Sequence, residues 1–269
     1  MSDDNGLGII LKSKEHSLRE LVKSTLLALS ENRDLKILDC GGGINSWLGD
    51  LVTHVMDLSA DPLLSTKIVG DVCDGDTWAE LDDKEFDFVN CTHTLEDIRD
   101  PQSVIYQMSR VAKAGFIAVP SADQEFTFLQ SKGYLGYGHH RWIFKVIGAK
   151  LSAWPKFPAI SSPQMAVRKS FIKRPKLIKI VNEFPLRLIS KVISKVVKKK
   201  VTKNVELGLI WINSCDFYYF NMDFAGRSVE ELISKTIEFL EIEENDNFIE
   251  GQSLDLYQIL SESFDKTEK

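Results

Sequence analysis

Short apolar runs separated by polar stretches make up the first half of the chain. Five of these runs are long enough to form strands and occupy residues 36–40, 54–58, 67–72, 86–91 and 115–120. Several are continuously apolar and end in polar residues, which is typical of strands that are buried on both faces of a parallel sheet. The pattern therefore predicts a buried, mainly parallel sheet.

Helical periodicity lies before and within this sheet. Residues 15–30 carry apolar side chains at helical spacing, namely Leu18, Leu21, Val22, Leu26 and Leu29. Asp100-Pro101 opens a second helix, with apolar positions Val104, Ile105, Met108 and Val111, between the fourth and fifth runs. Residues 59–66 are too few for a full covering helix and predict an abbreviated crossover. The predicted fold class is α/β, with a doubly wound sheet.

The pattern changes after Pro120. Residues 138–144 and 150–154 predict two strands of a hairpin, and residues 207–220 predict an aromatic-rich strand pair or one bent strand. Helices follow around residues 228–240 and 254–264. We expect these elements to complete the sheet and to shape a substrate pocket. The predicted domains are an N-terminal helix (1–33), a core (34–121), a substrate lobe (122–227) and C-terminal helices (228–269).

The composition is that of a globular protein, but the charge is distributed unevenly and is concentrated in one segment. The chain has 269 residues, 43% of them hydrophobic, and a formal net charge of −6. Residues 165–205 hold 13 Lys or Arg and one acid, Glu183, which indicates an inserted functional element. The acidic start of the chain and the lack of a long apolar run predict a cytoplasmic protein. The four cysteines, widely spaced, are expected to be free thiols.

The basic segment contains a predicted amphipathic helix at residues 186–201. Its apolar positions are Leu188, Ile189, Val192, Ile193, Val196 and Val197, and its charges come from Arg187, Lys191, Lys195 and Lys198 to Lys200. Such a helix can lie on an anionic membrane surface, bind an anionic glycan or nucleic acid, or only pack on the core. Aromatic residues for base stacking are absent, so a peripheral membrane contact is preferred to nucleic acid.

A glycine-rich turn follows the first predicted strand. Asp39-Cys40 leads into Gly41, Gly42 and Gly43, residues that allow a positive φ or a close approach of a ligand to the backbone. Asp57, at the end of the next strand, is placed to accept hydrogen bonds from the hydroxyls of a ribose. The pattern indicates a nucleoside-cofactor site, with a simple tight turn as the alternative. The spacing lacks the full G-x-G-x-x-G of NAD-binding folds.

The order of these motifs resembles the class I S-adenosylmethionine-dependent methyltransferases. The resemblance covers roughly residues 34–121 and is carried by the glycine turn, by Asp57, by Gly70-Asp71-Val72 and by the fourth-strand stretch from Phe88 to Pro101. It implies a Rossmann-like fold with S-adenosylmethionine as cofactor. The cofactor-binding residues that it implies are Asp39, Gly41, Gly42, Gly43, Asp57, Leu58, Asp71, Val72, Asn90 and Cys91. Two positions depart from the family pattern: Asn45 replaces the third glycine of the loop, and Leu95-Glu96-Asp97 replaces Leu-Glu-His.

Methyl transfer to an alcohol requires a group that removes the alcohol proton, and histidine is the usual choice. His93 follows the fourth strand, where it is either such a base or a structural residue bonded at a helix start. His139 and His140 are the other catalytic candidates. If they lie on a strand, only one faces the pocket, and we favour His140. Since adjacent histidines on a strand point apart, we predict no metal site.

The stretch around these histidines also suggests a substrate class. Residues 138–142 resemble a segment of methyltransferases from bacterial glycan and surface-polysaccharide gene sets, which makes Trp142 a candidate substrate contact. Arg141 either grips a carboxylate or phosphate or pairs with an acid at the edge of the core. The leading hypothesis is O-methylation of a sugar or sugar-linked group in glycan biosynthesis. The alternatives are an RNA or protein methyltransferase that docks through residues 165–205, and a non-catalytic cofactor-binding scaffold.

Overall fold

The computed structural model describes residues 7–11, 17–42, 46–59, 67–122, 125, 137–147, 150–156, 206–220, 226–242 and 255–265. The strands in these ranges are β1 (Leu7–Leu11), β2 (Ile37–Cys40), β3 (His54–Asp57), β4 (Lys67–Val69), β5 (Phe86–Thr92), β6 (Ala112–Pro120), β7 (Trp142–Ile147), β8 (Lys150–Pro155), β9 (Glu206–Ile212) and β10 (Phe217–Tyr219). The α-helices are α1 (Ser17–Ser30), α2 (Pro101–Val111), α3 (Val229–Glu241) and α4 (Leu256–Asp265).

The main sheet has seven strands in the order β1-β9-β6-β5-β2-β3-β4. Strands β2 to β6 are mutually parallel, which confirms the predicted α/β class with a doubly wound, Rossmann-like, mainly parallel sheet. The chain runs outward from β2 through β3 to β4 and then returns to place β5 on the other side of β2. In open α/β sheets, ligands bind at such a reversal, outside the carboxyl ends of the strands. The site is therefore expected where β2 and β5 end.

Two antiparallel strands extend the sheet beyond β6. Strand β9 pairs with β6, and β1 pairs with β9, from Leu7 opposite Ile212 to Leu11 opposite Gly208. The sequence patterns did not predict β1. Strand β9 completes the sheet as expected, and it delivers Glu206 to the carboxyl end of β6, opposite Pro120.

A second sheet of three strands, β10-β8-β7, contains the predicted hairpin. Strands β7 and β8 are antiparallel, from Trp142 opposite Pro155 to Ile147 opposite Lys150. The predicted aromatic strand pair at 207–220 is also confirmed, although its two strands join different sheets, since β10 pairs in parallel with β8.

Helices cover both faces of the main sheet. The buried stripe Leu18, Val22, Leu26 and Leu29 of α1 packs with α4 against one face. Helix α2 covers the other face with the buried side chains that its spacing predicted, namely Val104, Ile105, Met108 and Val111. Asp100 caps α2, because its carboxylate accepts a hydrogen bond from the Ser103 amide, and Pro101 occupies the first turn. These packed faces hold the carboxyl ends of the strands in place.

Some predictions fall outside the described residues. They concern the basic segment 165–205 with its helix at 186–201, most of the crossover 59–66, and Gly43. The proposed membrane contact of that helix therefore stays a prediction. Among the described helices, none is long and apolar enough to cross a bilayer.

Candidate active site

The glycine turn after β2 is tightly packed on two neighbours. Gly41 has a φ of +81°, a conformation that favours glycine, and a Cβ there would overlap the side chain of Thr94. A Cβ on Gly42 would overlap the carboxylate of Asp39. The Gly41 amide donates a hydrogen bond to the carbonyl of Met56 at the end of β3, at 2.8 Å. The turn therefore brings the ends of β2, β3 and β5 together and keeps the backbone bare of side chains.

Asp39 lies fully buried beneath this turn. Its Oδ1 accepts a hydrogen bond from the Asn90 side-chain amide at 2.8 Å, whereas Oδ2 is buried and has no well-formed hydrogen bond to a described residue. Burial raises the pKa of Asp39; contacts with Ser46 and Asn90 oppose this rise, and the charge of Asp57 adds to it. An unsatisfied buried acceptor next to bare backbone fits a ligand that brings hydrogen-bond donors.

Trp47 lies beside Asn90 at the carboxyl end of β5. Its indole N–H lies 3.2 Å from both Asn90 Oδ1 and Thr92 Oγ1, and its ring meets Phe116 edge-on. The Arg19 guanidinium sits over the indole at 5.7 Å. Sequence reasoning missed Trp47, because no local pattern signals a side chain that reaches from a loop to a strand end.

Asp57 and Leu58 occupy the end of β3 as predicted. The Asp57 side chain is half-buried, and its charge contributes to the raised pKa of Asp39. Leu58 is 72% exposed, an apolar side chain left uncovered beside the crevice. Both positions are compatible with contacts to a nucleoside.

Asp71 and Val72 follow β4. The Asp71 carboxylate pairs with Arg99 at 2.8 Å and accepts a hydrogen bond from the Cys73 amide. Val72 is buried, and its carbonyl accepts a hydrogen bond from the indole of Trp78. The ion pair with Arg99 was not predicted. It fixes the acid that the family resemblance assigns to the adenine.

Cys91 does not reach the crevice surface. It is fully buried in the core cluster beneath α2, on the opposite face of β5 from Asn90, and it lies against Cys40. The contact with Cys40 and burial raise the pKa of the Cys91 thiol well above its usual value. The Cys91 thiol is therefore not available for the predicted cofactor contact.

His93 is held between two carboxylates. It adopts a left-handed φ of +54°, its Nδ1 lies 3.1 Å from Glu96 Oε1, and its Nε2 lies 3.0 Å from Glu206 Oε2. Burial opposes the charged form, but the hydrogen bonds to Glu206 and Glu96 raise the pKa of His93 to about 9. The imidazole is thus a cation at neutral pH. An ion-pair role fits this geometry better than the predicted role of a base.

Arg19 extends this network to helix α1. Its guanidinium forms an ion pair with Glu206, and its Nε lies 3.0 Å from Glu206 Oε1. Burial raises the pKa of Glu206, but hydrogen bonds to His93 and Arg19 lower it below its usual value. Sequence reasoning missed Arg19 and Glu206, since their partners are distant in the chain.

His139 and His140 lie in a turn before β7, so the prediction that they sit on a strand is wrong. Gly138 and a hydrogen bond from the His140 amide to the Tyr137 carbonyl form this turn. As a result the two rings do not point apart. Their centroids are 4.6 Å from each other, and both rings lie next to the carboxylate of Asp97.

His140 is oriented by a buried acid. Its Nδ1 lies 2.5 Å from Glu125 Oε1, and the other oxygen of Glu125 pairs with Lys156. Burial works against the charge of Glu125, but the His140 contact and the Lys156 cation lower the pKa of Glu125. The His140 side chain is 5% exposed, whereas His139 is 62% exposed. The cluster therefore has one fixed imidazole and one at the surface.

The predicted substrate residues flank this cluster. The amide of Arg141 donates a hydrogen bond to the Glu96 carbonyl at 2.6 Å, and its side chain is exposed. Trp142 is mostly buried; its indole N–H bonds to the Ile98 carbonyl, and its ring packs on Tyr219. A polar hollow of about 400 Å³ lies nearby, lined by Arg99, Asp100, Gln102 and Tyr219.

Comparison with known proteins identifies the core. Residues 38–119, from β2 to β6, match the family described as "Methyltransferase domain". No curated protein matches the chain. Among solved structures, the chain is similar to the PH0226 protein from Pyrococcus horikoshii OT3 (14% identity, 74% of this chain, 92% of that chain, TM-score 0.39). It is also similar to an S-adenosylmethionine dependent methyltransferase from Mesorhizobium loti (11% identity, 70% of this chain, 96% of that chain, TM-score 0.34).

The residues at the strand ends fit the cofactor of this family. The bare turn at Gly41 and Gly42, the Asp39 oxygen without a hydrogen bond to the described residues, and the acid Asp57 fit a nucleoside that carries an amino group. S-adenosylmethionine is such a molecule, and when bound it supplies an activated methyl group. Residues 38–119 thus form a methyltransferase domain, with S-adenosylmethionine as its cofactor.

Proposed function

We propose that the enzyme methylates a hydroxyl oxygen of a small molecule or glycan intermediate, in particular of a sugar or sugar-linked group. The observation that carries this proposal is the position of the histidine cluster, defined as Asp97, His139 and His140, beside the cofactor turn. The Asp97 amide donates a hydrogen bond to the Thr94 carbonyl at 3.1 Å, and Thr94 packs directly on Gly41. These two contacts connect groups able to handle a hydroxyl proton to the turn that is predicted to hold the cofactor.

The charge arrangement favours the histidine cluster over His93 for this task. His93 already holds its proton in an ion pair with two acids, so it has no lone pair to offer an acceptor hydroxyl. In the cluster, Nδ1 of His140 is held by Glu125, and its Nε2 faces Asp97. An alcohol is a poor nucleophile until its proton leaves, so an oxygen acceptor needs such a cluster more than a thiol does.

The size and lining of the neighbouring hollow are evidence for a small polar acceptor. Its volume of about 400 Å³ is within the range of small-molecule sites, and its lining combines a cation, an acid, an amide and a phenol. Sugars present hydroxyl groups that pair with all four of these groups. Tyr219, which packs on Trp142, adds an aromatic surface for a sugar ring.

The predicted division of labour follows from these contacts. Asp39, Gly41, Gly42 and Asp57 hold the cofactor, together with the contacts expected of Leu58, Asp71, Val72 and Asn90. The strand ends orient the acceptor oxygen toward the methyl donor and exclude water, which is the main demand of methyl transfer. Docking of RNA or protein through residues 165–205 remains a competing prediction.

The test is production of S-adenosylhomocysteine from a panel of acceptors. Purified enzyme is incubated with S-adenosylmethionine and monosaccharides, nucleotide sugars, lipid-linked glycans, amino sugars or RNA. The proposal expects turnover with a hydroxylated sugar and loss of that turnover in Asp97→Asn. His54→Gln, at the opposite end of strand β3 from Asp57, is the matched control. Turnover with RNA alone, or only at an amine, would contradict it.

A further inference from the structure

Three potential metal-ligating atoms converge in the histidine cluster. One nitrogen from each imidazole and one oxygen of Asp97 all lie within 4.8 Å of one another. Nε2 of His139 is 3.9 Å and Nε2 of His140 is 4.0 Å from Asp97 Oδ1. These separations are too long for hydrogen bonds. They are close to the roughly 3–4 Å that separates two ligand atoms bonded to one ion at about 2.0–2.2 Å.

The shared oxygen of Asp97 lacks a hydrogen-bond partner among the described residues. Oδ1 is buried and has no hydrogen bond to any described residue, although the side chain as a whole is 39% exposed. A buried carboxylate oxygen without a donor costs free energy, because it has lost its water and gained nothing in return. A cation between this oxygen and the two imidazoles would satisfy it.

His140 already has the outer contact that metal-binding histidines require. Such a histidine binds the metal through one nitrogen and donates the other N–H to a carboxylate, which fixes the ring and its tautomer. Glu125 provides this contact to Nδ1 and is itself held by Lys156, so Nε2 is the nitrogen left to face Asp97. The ring is buried, and its orientation is therefore set before any ion arrives.

We propose that Asp97, His139 and His140 bind a divalent transition metal ion, with Zn²⁺ as the preferred occupant. Two imidazole nitrogens and one carboxylate oxygen are ligands that Zn²⁺ accepts, and three protein ligands leave a coordination position open. The sequence argument against a metal assumed that the histidines lie on a strand, whereas the turn before β7 brings them together. The open position is suited to an acceptor oxygen, and this role rests on the proposed function. Binding of the ion itself does not depend on the proposed function.

The experiment measures metal binding directly. Full-length protein without a histidine tag is stripped with a chelator, dialysed, and titrated with Zn²⁺ by calorimetry and with Co²⁺ by visible absorption. The wild type should bind one equivalent and give Co²⁺ bands of a four- or five-coordinate nitrogen and oxygen site. His139→Ala, at an exposed position, and Asp97→Asn each remove a direct ligand. Both should lower the affinity for Zn²⁺ by at least roughly 10- to 100-fold, which is the effect of losing only an outer-shell partner. His54→Gln should leave binding unchanged.

Glu125→Gln offers a second test of the arrangement. It keeps the size of the side chain and removes the charge that contacts His140 and Lys156, so Zn²⁺ affinity should fall about 10- to 100-fold. Far-ultraviolet circular dichroism confirms that each variant is folded. The proposal is overturned if the wild type binds no Zn²⁺, if His139→Ala and Asp97→Asn bind it like the wild type, or if Co²⁺ gives sulfur charge-transfer bands from the thiols instead.

Failure of this proposal is separable from failure of the proposed function. Zn²⁺ binding that depends on the cluster, without turnover of any hydroxylated acceptor, supports the metal site and contradicts the acceptor assignment. Turnover of a sugar by protein that binds no Zn²⁺ supports the acceptor assignment and contradicts the metal site. An imidazole of the cluster would then take the hydroxyl proton.

Discussion

Asn90 donates a hydrogen bond from its side-chain amide to the buried carboxylate of Asp39, at 2.8 Å. The bond joins the ends of β2 and β5 at the reversal of the sheet, and Trp47 and Thr92 satisfy the amide oxygen of Asn90 from the other side. The buried acid beneath the glycine turn is thus held by a neutral donor. This relationship makes the floor of the proposed cofactor site sensitive to small changes of charge.

Asn90→Asp should destabilise the protein strongly, although the two side chains are nearly the same size. The substitution removes the amide donor and places a second acid against Asp39, where burial already disfavours a charge. The free energy of unfolding, measured by urea denaturation at neutral pH, should fall by about 1–3 kcal/mol. Asn32→Asp, the same change at an exposed turn, should stay within about 0.5 kcal/mol. Equal effects of the two substitutions would contradict the role given to the Asp39–Asn90 bond.

Gly42→Ala should damage the cofactor cradle, and Gly75→Ala should not. The new methyl group at residue 42 overlaps the Asp39 carboxylate, whereas at residue 75 it meets no atom within 4 Å. We expect the first change to lower the free energy of unfolding by about 1–3 kcal/mol and to weaken S-adenosylmethionine binding. Urea denaturation and calorimetry measure the two effects. Unchanged binding in Gly42→Ala would mean that the turn does not hold the cofactor.

The His93 ion pairs should stabilise the fold less as the solution becomes alkaline. The pKa of His93 is raised to about 9 in the folded protein from about 6.5 in the unfolded chain. Its contribution is therefore fully present below about pH 6.5 and is lost as pH rises through about 9. The difference in unfolding free energy between wild type and His93→Gln should shrink from pH 6 toward pH 9.5, as followed by urea denaturation at each pH.

His54→Gln is the control for that titration. Burial lowers the pKa of His54, so its effect on stability changes below about pH 6.5, on the other side of the window. A constant difference between wild type and His93→Gln across the alkaline range would show that His93 is not charged in the folded protein.

The elements that the sequence predicted best are those with strong local patterns. Strands β2 to β6, helix α2 and the β7–β8 hairpin each consist of an apolar run or a helical stripe with clear ends, and these boundaries differ by only a few residues from the structure. Strand β6, for example, begins at Ala112, earlier than predicted. Strand β1 was missed, because it is short and its partner β9 lies near the other end of the chain.

The site contacts that were missed depend on tertiary structure. His93 meets Glu206 across 113 positions, and Arg19 meets it across 187. No local pattern encodes such pairs. The prediction for His139 and His140 failed for a different reason. The predicted strand began a few residues too early, and side chains that point apart on a strand can meet in a turn.

The most direct measurement is calorimetric titration of S-adenosylmethionine into the wild type, Asp57→Ala and Asp34→Ala. The wild type should bind one equivalent, and Asp57→Ala should weaken binding by at least about tenfold, or about 1.4 kcal/mol. Asp34 is an exposed acid just before β2, at the amino end of that strand and away from the carboxyl ends that form the site. Its loss should therefore have no effect on binding. A folded wild type that binds no S-adenosylmethionine, or equal binding by all three proteins, would contradict the cofactor site described at the ends of β2, β3 and β5.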